Sequence, residues 1–252
     1  MILTMAIRCR SGVLRQLTLC ALGLALAGGC ARDSPTDAAA LRRALGKEID
    51  RYVQSDRAAP PAHCQVLFVG SSSIVVWKRS LAADMAPLPV IDRGFGSSYI
   101  EHVNLWFDEI VAPYHPRAIV FYAGENDLNA GKSVDQVVAD FDTFMARKSE
   151  VLGDTPVYFI SLKPSKARFK QMPQQSAVNA AIRARAGTRS DLHFIDVVPL
   201  MLESGQPKNI FDPDGLHMTP AGYVLWTAAV KAALLPNNDA QLKGCEQKEA
   251  RP

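Results

Sequence analysis

The sequence predicts an α/β fold: a parallel sheet of five strands covered by helices on both faces. Three observations carry that expectation. Short apolar runs at residues 65–69, 90–91, 118–122, 157–162 and 192–197 have the length and composition of strands. Segments with apolar residues at helical spacing alternate with them, the order of parallel βαβ units. The runs are predominantly apolar and do not alternate with polar residues in the manner of half-exposed strands, which suits strands buried on both faces.

Each element has its own signal. Residues 31–40, ARDSPTDAAA, are small and polar and read as a tether. Leu41, Leu45, Ile49, Tyr52 and Val53 recur with a helical period, so a helix is expected over 41–53. The loop APPAHC leads into the first strand, which ends in a turn at residues 70–73. The second strand opens at Val90 and ends in DRGFGSS. Ile100, Val103, Leu105, Trp106, Phe107 and Ile110 then predict one amphipathic helix over 99–111. The third strand ends in AGEND. Ser133 and Gln136 form a capping box ahead of a helix over 134–152. The fourth strand gives way to a basic loop, KPSKARFK at 163–170, read as solvated. A helix over 177–186 stops at Gly187. After the fifth strand, Thr219 caps a helix with Pro220 at its first position, running to Leu235. A single domain is expected over 41–245, with its core over 65–235 and a tail at 246–252. With 252 residues and 48% hydrophobic content, the chain supports one core and not two.

The N-terminus has a different character. Arg8, Arg10 and Arg15 precede an apolar run over 17–27 that ends in Gly28, Gly29 and Cys30. That is the build of a secretory signal, too short for a permanent membrane span. The ending LALAGGC is similar to a bacterial lipobox, which makes Cys30 the lipidated first residue of the mature chain; an ordinary cleaved signal is the alternative. Export to the cell envelope, with a lipid anchor facing the periplasm, is the expectation. Outside residues 1–29, basic and acidic side chains balance at 25 each. A basic face for nucleic acid is therefore not supported. Cys9 and Cys20 leave with the signal, so Cys64 and Cys245 remain as a pair. An oxidising compartment favours a disulfide between them, against two free thiols.

The polar clusters fall where a parallel sheet binds ligands, at the carboxyl ends of the strands. Gly70, Ser71, Ser72 and Ser73 follow the first strand, residues 94–98 the second, and Gly124, Glu125, Asn126 and Asp127 the third. The stretch FDPDGLHMTP places Asp214 three residues before His217. A carboxylate beside a histidine fixes its tautomer and stabilises the imidazolium, which makes a general base. With serines and an asparagine converging on the same rim, the pattern points to nucleophilic attack on an ester. Which of the three serines attacks is open on these grounds alone.

In order and spacing, the four segments resemble the four sequence blocks of the SGNH (GDSL-type) hydrolases. The resemblance covers roughly residues 65–235. It implies a flavodoxin-like three-layer sandwich, with Ser72 as nucleophile in the Gly-Asp-Ser turn, here Gly70-Ser71-Ser72. It implies an oxyanion hole from the backbone at Ser97, with Gly96 beside it, and from the Asn126 side chain of the Gly-x-Asn-Asp block. It assigns Asp214 and His217 to the closing Asp-x-x-His block. Two positions depart from the family pattern: Ser71 stands for the usual Asp and Ser97 for the usual Gly.

The expected activity is a serine ester hydrolase, with small acyl esters, acetylated glycans or lysolipids as the substrate class. An envelope-tethered binding protein for acylated glycans or lipids, catalytically weak or inactive, is the alternative. No cofactor is expected, since no Cys/His cluster has metal-ligand spacing and no Gly-rich phosphate loop appears. His63, His102, His115 and His193 read as surface or satisfied positions. Trp77, Tyr99, Trp106 and Phe169 read as core rather than as the walls of an acyl pocket.

Overall fold

A computed structural model describes residues 35–250, and side chains from residue 45. Five strands form the sheet: β1 (Val66–Gly70), β2 (Val90–Gly94), β3 (Ala118–Tyr122), β4 (Val157–Ile160) and β5 (Leu192–Ile195). All pairings are parallel, in the order β2-β1-β3-β4-β5. The helices are α1 (Pro35–Ala58), α2 (Ser72–Trp77), α3 (Leu81–Met85), α4 (Ile100–Leu105), α5 (Phe107–Ile110), α6 (Glu125–Asn129), α7 (Val134–Leu152), α8 (Met172–Ala186), α9 (Val198–Met201), α10 (Pro220–Leu234) and α11 (Asn238–Glu249). Contacts group α4, α7 and α8 on one face and α2, α3 and α10 on the other, the arrangement that right-handed crossovers give for this strand order. The three-layer α/β architecture follows.

β3 illustrates why the sheet is covered twice. Successive side chains on a strand point to opposite faces. Phe121 packs on Phe141, Phe144 and Phe159 on one side, while Tyr122 meets Trp226 on the other. Trp226 and Tyr223 of α10 continue onto Trp77, and Trp106 packs edge-on against Phe95. Trp77 and Trp106 are fully buried, as a core reading requires.

Several elements differ from the expectation. The helix expected over 99–111 breaks at Trp106, whose backbone leaves the helical region (φ −109°, ψ 21°). The break turns the neighbours Trp106 and Phe107 to separate partners, Phe95 and Phe144. Residues 35–40, expected in a tether, belong to α1, and residues 31–34 lie outside the described residues. β4 and β5 end two residues earlier than expected, and the expected 177–186 helix begins at Met172. Thr219 stands at the start of α10, but its hydroxyl donates to the Ile210 carbonyl instead of accepting from the helix. The capping box ahead of α7 is present, with Gln136 N–H on Ser133 Oγ and Ser133 N–H on Gln136 Oε1. Much of the expected tail is helical: α11 runs to Glu249 and contains Cys245. Cys245 is joined to Cys64 by a disulfide across 181 residues. Closing so long a loop is worth about 5 kcal/mol by chain entropy. No helix among the described residues is long and apolar enough to cross a membrane.

Candidate active site

A parallel sheet turns all its carboxyl ends to one rim, and here β1 and β3 meet at the point where the strand order reverses. β1 ends at Gly70 with φ +141°. A Cβ there would lie 1.9 Å from the Tyr122 carbonyl oxygen, so only glycine lets the chain turn away so close to β3. The turn delivers Ser71 as the residue before α2 and Ser72 as its first. An N–H at a first helical position has no acceptor within its own helix, so that of Ser72 is free for a ligand.

Ser72 Oγ lies 2.8 Å from His217 Nε2, and His217 Nδ1 lies 2.6 Å from Asp214 Oδ2. The other Asp214 oxygen accepts the backbone N–H groups of Leu216 (2.8 Å) and His217 (3.0 Å). Partial desolvation pushes the Asp214 carboxyl up, but these backbone donors and the imidazole outweigh it and hold it at about 2. A carboxylate with that many donors stays ionised and keeps the ring in one orientation. The geometry links a hydroxyl, an imidazole and a carboxylate in a single hydrogen-bonded chain.

Beside Ser72, the loop after β2 curls through Ser97 with φ +57°, the left-handed region that favours glycine. The resemblance expects Gly at this position, and the backbone keeps the glycine-like shape although Ser occupies it. Asn126 Nδ2 donates to the Ser98 carbonyl at 3.0 Å, which ties this loop to α6 and leaves a second amide hydrogen. Gly96, expected beside the hole, gives its N–H to Glu48 Oε2 of α1 at 2.7 Å and so is not free to donate to a ligand.

Three supports were not visible in the sequence. The Asp127 carboxylate, fully buried, accepts the Ile100 N–H at 3.1 and 3.3 Å and so fixes the start of α4 behind Ser97. Burial pushes its pKa to about 6, against the pull of that N–H and of Lys132. Lys163, expected in a solvated loop, is fully buried. Its ammonium donates to Glu125 Oε2 (2.6 Å), Tyr122 Oη (3.1 Å) and Ser73 Oγ (3.2 Å), and Ser165 Oγ donates to the other Glu125 oxygen. The error has a simple cause: a lysine after an apolar strand looks solvated unless its partner, 38 residues away, is known. Glu48 is the third, a surface-type residue on α1 whose role depends on where α1 docks. Tyr52 of the same helix donates to the Gly94 carbonyl at 2.5 Å, just upstream of the loop.

The remaining site expectations fall elsewhere. Cys64 and Cys245 are bonded at the opposite rim, and Cys30 lies outside the described residues. His102 is buried, with Nδ1 accepting the Tyr99 N–H, and desolvation lowers its pKa.

Comparison with known proteins bears on the family and the fold. The family model described as "GDSL-like Lipase/Acylhydrolase family" matches residues 62–225. No curated protein matches the chain. Among solved structures, a candidate acylhydrolase from Bacteroides fragilis is similar at TM-score 0.65 and 23% identity, covering 77% of this chain and 96% of its own. A GDSL-like lipase from Bacteroides thetaiotaomicron gives 0.62 and 23%, covering 73% and 96%. A carbohydrate esterase family 3 protein from Talaromyces cellulolyticus gives 0.57 and 15%, covering 70% and 99%. At these identities the structural likeness speaks for the fold, and the family model for membership. The chain belongs to the GDSL-like lipase/acylhydrolase family, whose members hydrolyse esters.

Proposed function

We propose that the chain hydrolyses a small acyl ester through an acyl-enzyme on Ser72. The observation that carries the reading is the unbroken hydrogen-bond chain from Ser72 Oγ through His217 to Asp214, at 2.8 and 2.6 Å. His217 Nε2 takes the Ser72 proton as Oγ attacks the ester carbonyl. The imidazolium then forms beside a carboxylate that stays ionised, which lowers the cost of the transfer. Negative charge collects on the former carbonyl oxygen, where the Ser72 N–H, the Ser97 N–H and the free Asn126 amide hydrogen would receive it. Each such donor is typically worth about 2.7–4 kcal/mol in the transition state. His217 returns the proton to the leaving alcohol, and water, activated by the same base, releases the acid.

Acetyl groups, on sugars in particular, are the substrate class we favour. The support is the absence of a long apolar insertion to cover a fatty chain and the fold shared with a carbohydrate esterase. Residues 1–29 as an export signal and Cys30 as a lipid attachment site complete the reading, on sequence grounds. A fluorophosphonate probe tests the central step. One equivalent bound to Ser72, and none in Ser72→Ala, is the expected result; labelling that persists in the variant overturns it. Fatty-acid analogue labelling that does not depend on Cys30 would overturn the anchor.

A further inference from the structure

Three side chains that are far apart in sequence meet at the other rim of the sheet. His63 precedes β1, His115 precedes β3, and Glu249 closes α11. His63 Nδ1 lies 2.5 Å from Glu249 Oε2, and His115 Nδ1 lies 2.8 Å from Glu249 Oε1. The three ligand atoms all fall within 4.8 Å of one another. We propose that His63, His115 and Glu249 form a binding site for a divalent transition-metal ion of the zinc type, with water completing the coordination.

The chemistry of the donors selects the ion. Two neutral imidazoles and one carboxylate suit zinc, copper or nickel, whereas magnesium and calcium prefer all-oxygen cages. Three protein ligands leave one tetrahedral position open. The present contacts are those of imidazole N–H groups donating to a carboxylate. An ion replacing those protons widens the two N···O contacts to edges of about 3.3 Å, set by metal–ligand bonds near 2.0–2.2 Å. The two rings lie stacked at 4.7 Å and nearly parallel, so they must tilt toward a shared ion. Both are about half exposed, at 45% and 53%, and have room to tilt.

The surroundings hold the three groups together before any ion arrives. The disulfide joins Cys64, next to His63, to Cys245, one helical turn before Glu249 and therefore on the same face of α11. The Cys64 N–H donates to the His115 carbonyl at 3.1 Å. His115 itself sits in the left-handed region (φ 39°, ψ 58°), which histidine adopts more readily than most side chains. Clefts of about 880 and 760 Å³ flank the trio, one between α11 and the α7–β4 turn and one beside Pro87 and Pro89, so solvent and ions reach it from two sides. β1 and β3, each five residues or about 17 Å long, separate this rim from Ser72 and Asn126. The ion would clamp α11 to the sheet and take no part in ester chemistry.

The test uses the untagged full chain under non-reducing conditions, stripped with chelator and dialysed. Titration with Zn²⁺ alone is expected to give one equivalent bound, and a melting temperature raised by roughly 5–10 °C at a hundredfold excess over Kd. Glu249→Gln should weaken binding at least tenfold and His63→Ala should abolish the shift, both with ester hydrolysis unchanged. Co²⁺ should give tetrahedral visible bands that vanish in the same variants. Binding that survives His63→Ala and Glu249→Gln, binding lost only in His217→Ala, equal binding of Mg²⁺, or no Zn²⁺ binding tighter than a Kd of about 100 micromolar each overturns the proposal.

Discussion

Glu48 on the N-terminal helix accepts the backbone N–H of Gly96 at 2.7 Å, one residue before the left-handed Ser97. α1 therefore holds the loop that carries a proposed oxyanion donor. A hydrogen bond to a charged acceptor contributes about 1.5–3 kcal/mol when shielded, and less here because Glu48 is about a third exposed. Glu48→Ala should lower kcat several-fold with KM little changed, while global stability falls by no more than about 1 kcal/mol. Steady-state kinetics beside a thermal melt check it; a larger loss of stability would make the contact a fold support only.

Ser97 gives a second expectation. A non-glycine residue in the left-handed region carries about 1–2 kcal/mol of strain, partly offset by the entropy glycine brings to the unfolded chain. Ser97→Gly should leave stability unchanged or raise it by up to about 1 kcal/mol. Ser97→Val, β-branched at the same φ, should lose roughly 1–2 kcal/mol. Urea unfolding of the two variants measures the difference, and equal stabilities would contradict the strain.

Lys163 and Glu125 form a fully buried pair under the Ser72 turn. Burial alone would neutralise each, yet Glu125 is held below its ordinary pKa because Lys163 outweighs the desolvation. Lys163→Met leaves the buried carboxylate with Arg168 at 4.0 Å as its remaining cation and should cost up to about 3–5 kcal/mol. Adding Glu125→Gln should recover much of that loss. A double-mutant cycle by denaturant unfolding decides it, and additive effects would deny the coupling.

Asp92 behaves oppositely with pH. Burial raises its carboxyl to about 6, and its Oδ2 is buried with no partner while Oδ1 accepts the Gly94 N–H and the Tyr52 hydroxyl. A folded pKa above the unfolded value means the stabilisation is complete below about pH 4 and lost as pH rises through about 6. Asp92→Asn should remove its share of that segment of the pH dependence, leaving the share of Asp127, and stabilise the protein at pH 8 by roughly 1–3 kcal/mol. Melting curves from pH 4 to 8 would show the slope flatten; an unchanged slope would locate it elsewhere.

The architecture was legible wherever apolar pattern carried it. All five strands and the rim with its four polar loops follow from runs such as AIVFY, whose members are buried on both faces of β3. Pattern fails where stability comes from few specific contacts. α11, NDAQLKGCEQKE, has no apolar stripe and buries no residue; a disulfide, a Gln241–Tyr158 hydrogen bond of 2.6 Å and the polar contacts of Lys248 with Asp154 and of Glu249 with His63 and His115 hold it. Asp214 and His217 could be paired because their spacing is local, whereas Ser72 and Asn126 are named through the resemblance to the SGNH blocks. Glu48, Asp127 and Lys163 could not be named, since their roles depend on partners brought close only by the fold. The His63–His115–Glu249 group is hidden for the same reason.

Hydrolysis of p-nitrophenyl acetate and butyrate, by the parent chain and by Ser71→Ala, Ser72→Ala and Ser73→Ala, bears most directly on the proposed chemistry. The expected outcome is turnover with acetate preferred, a fall of about a thousandfold or more in Ser72→Ala alone, and retained activity in the other two. Activity surviving in Ser72→Ala, or disappearing only with Ser71 or Ser73, would contradict Ser72 as the nucleophile.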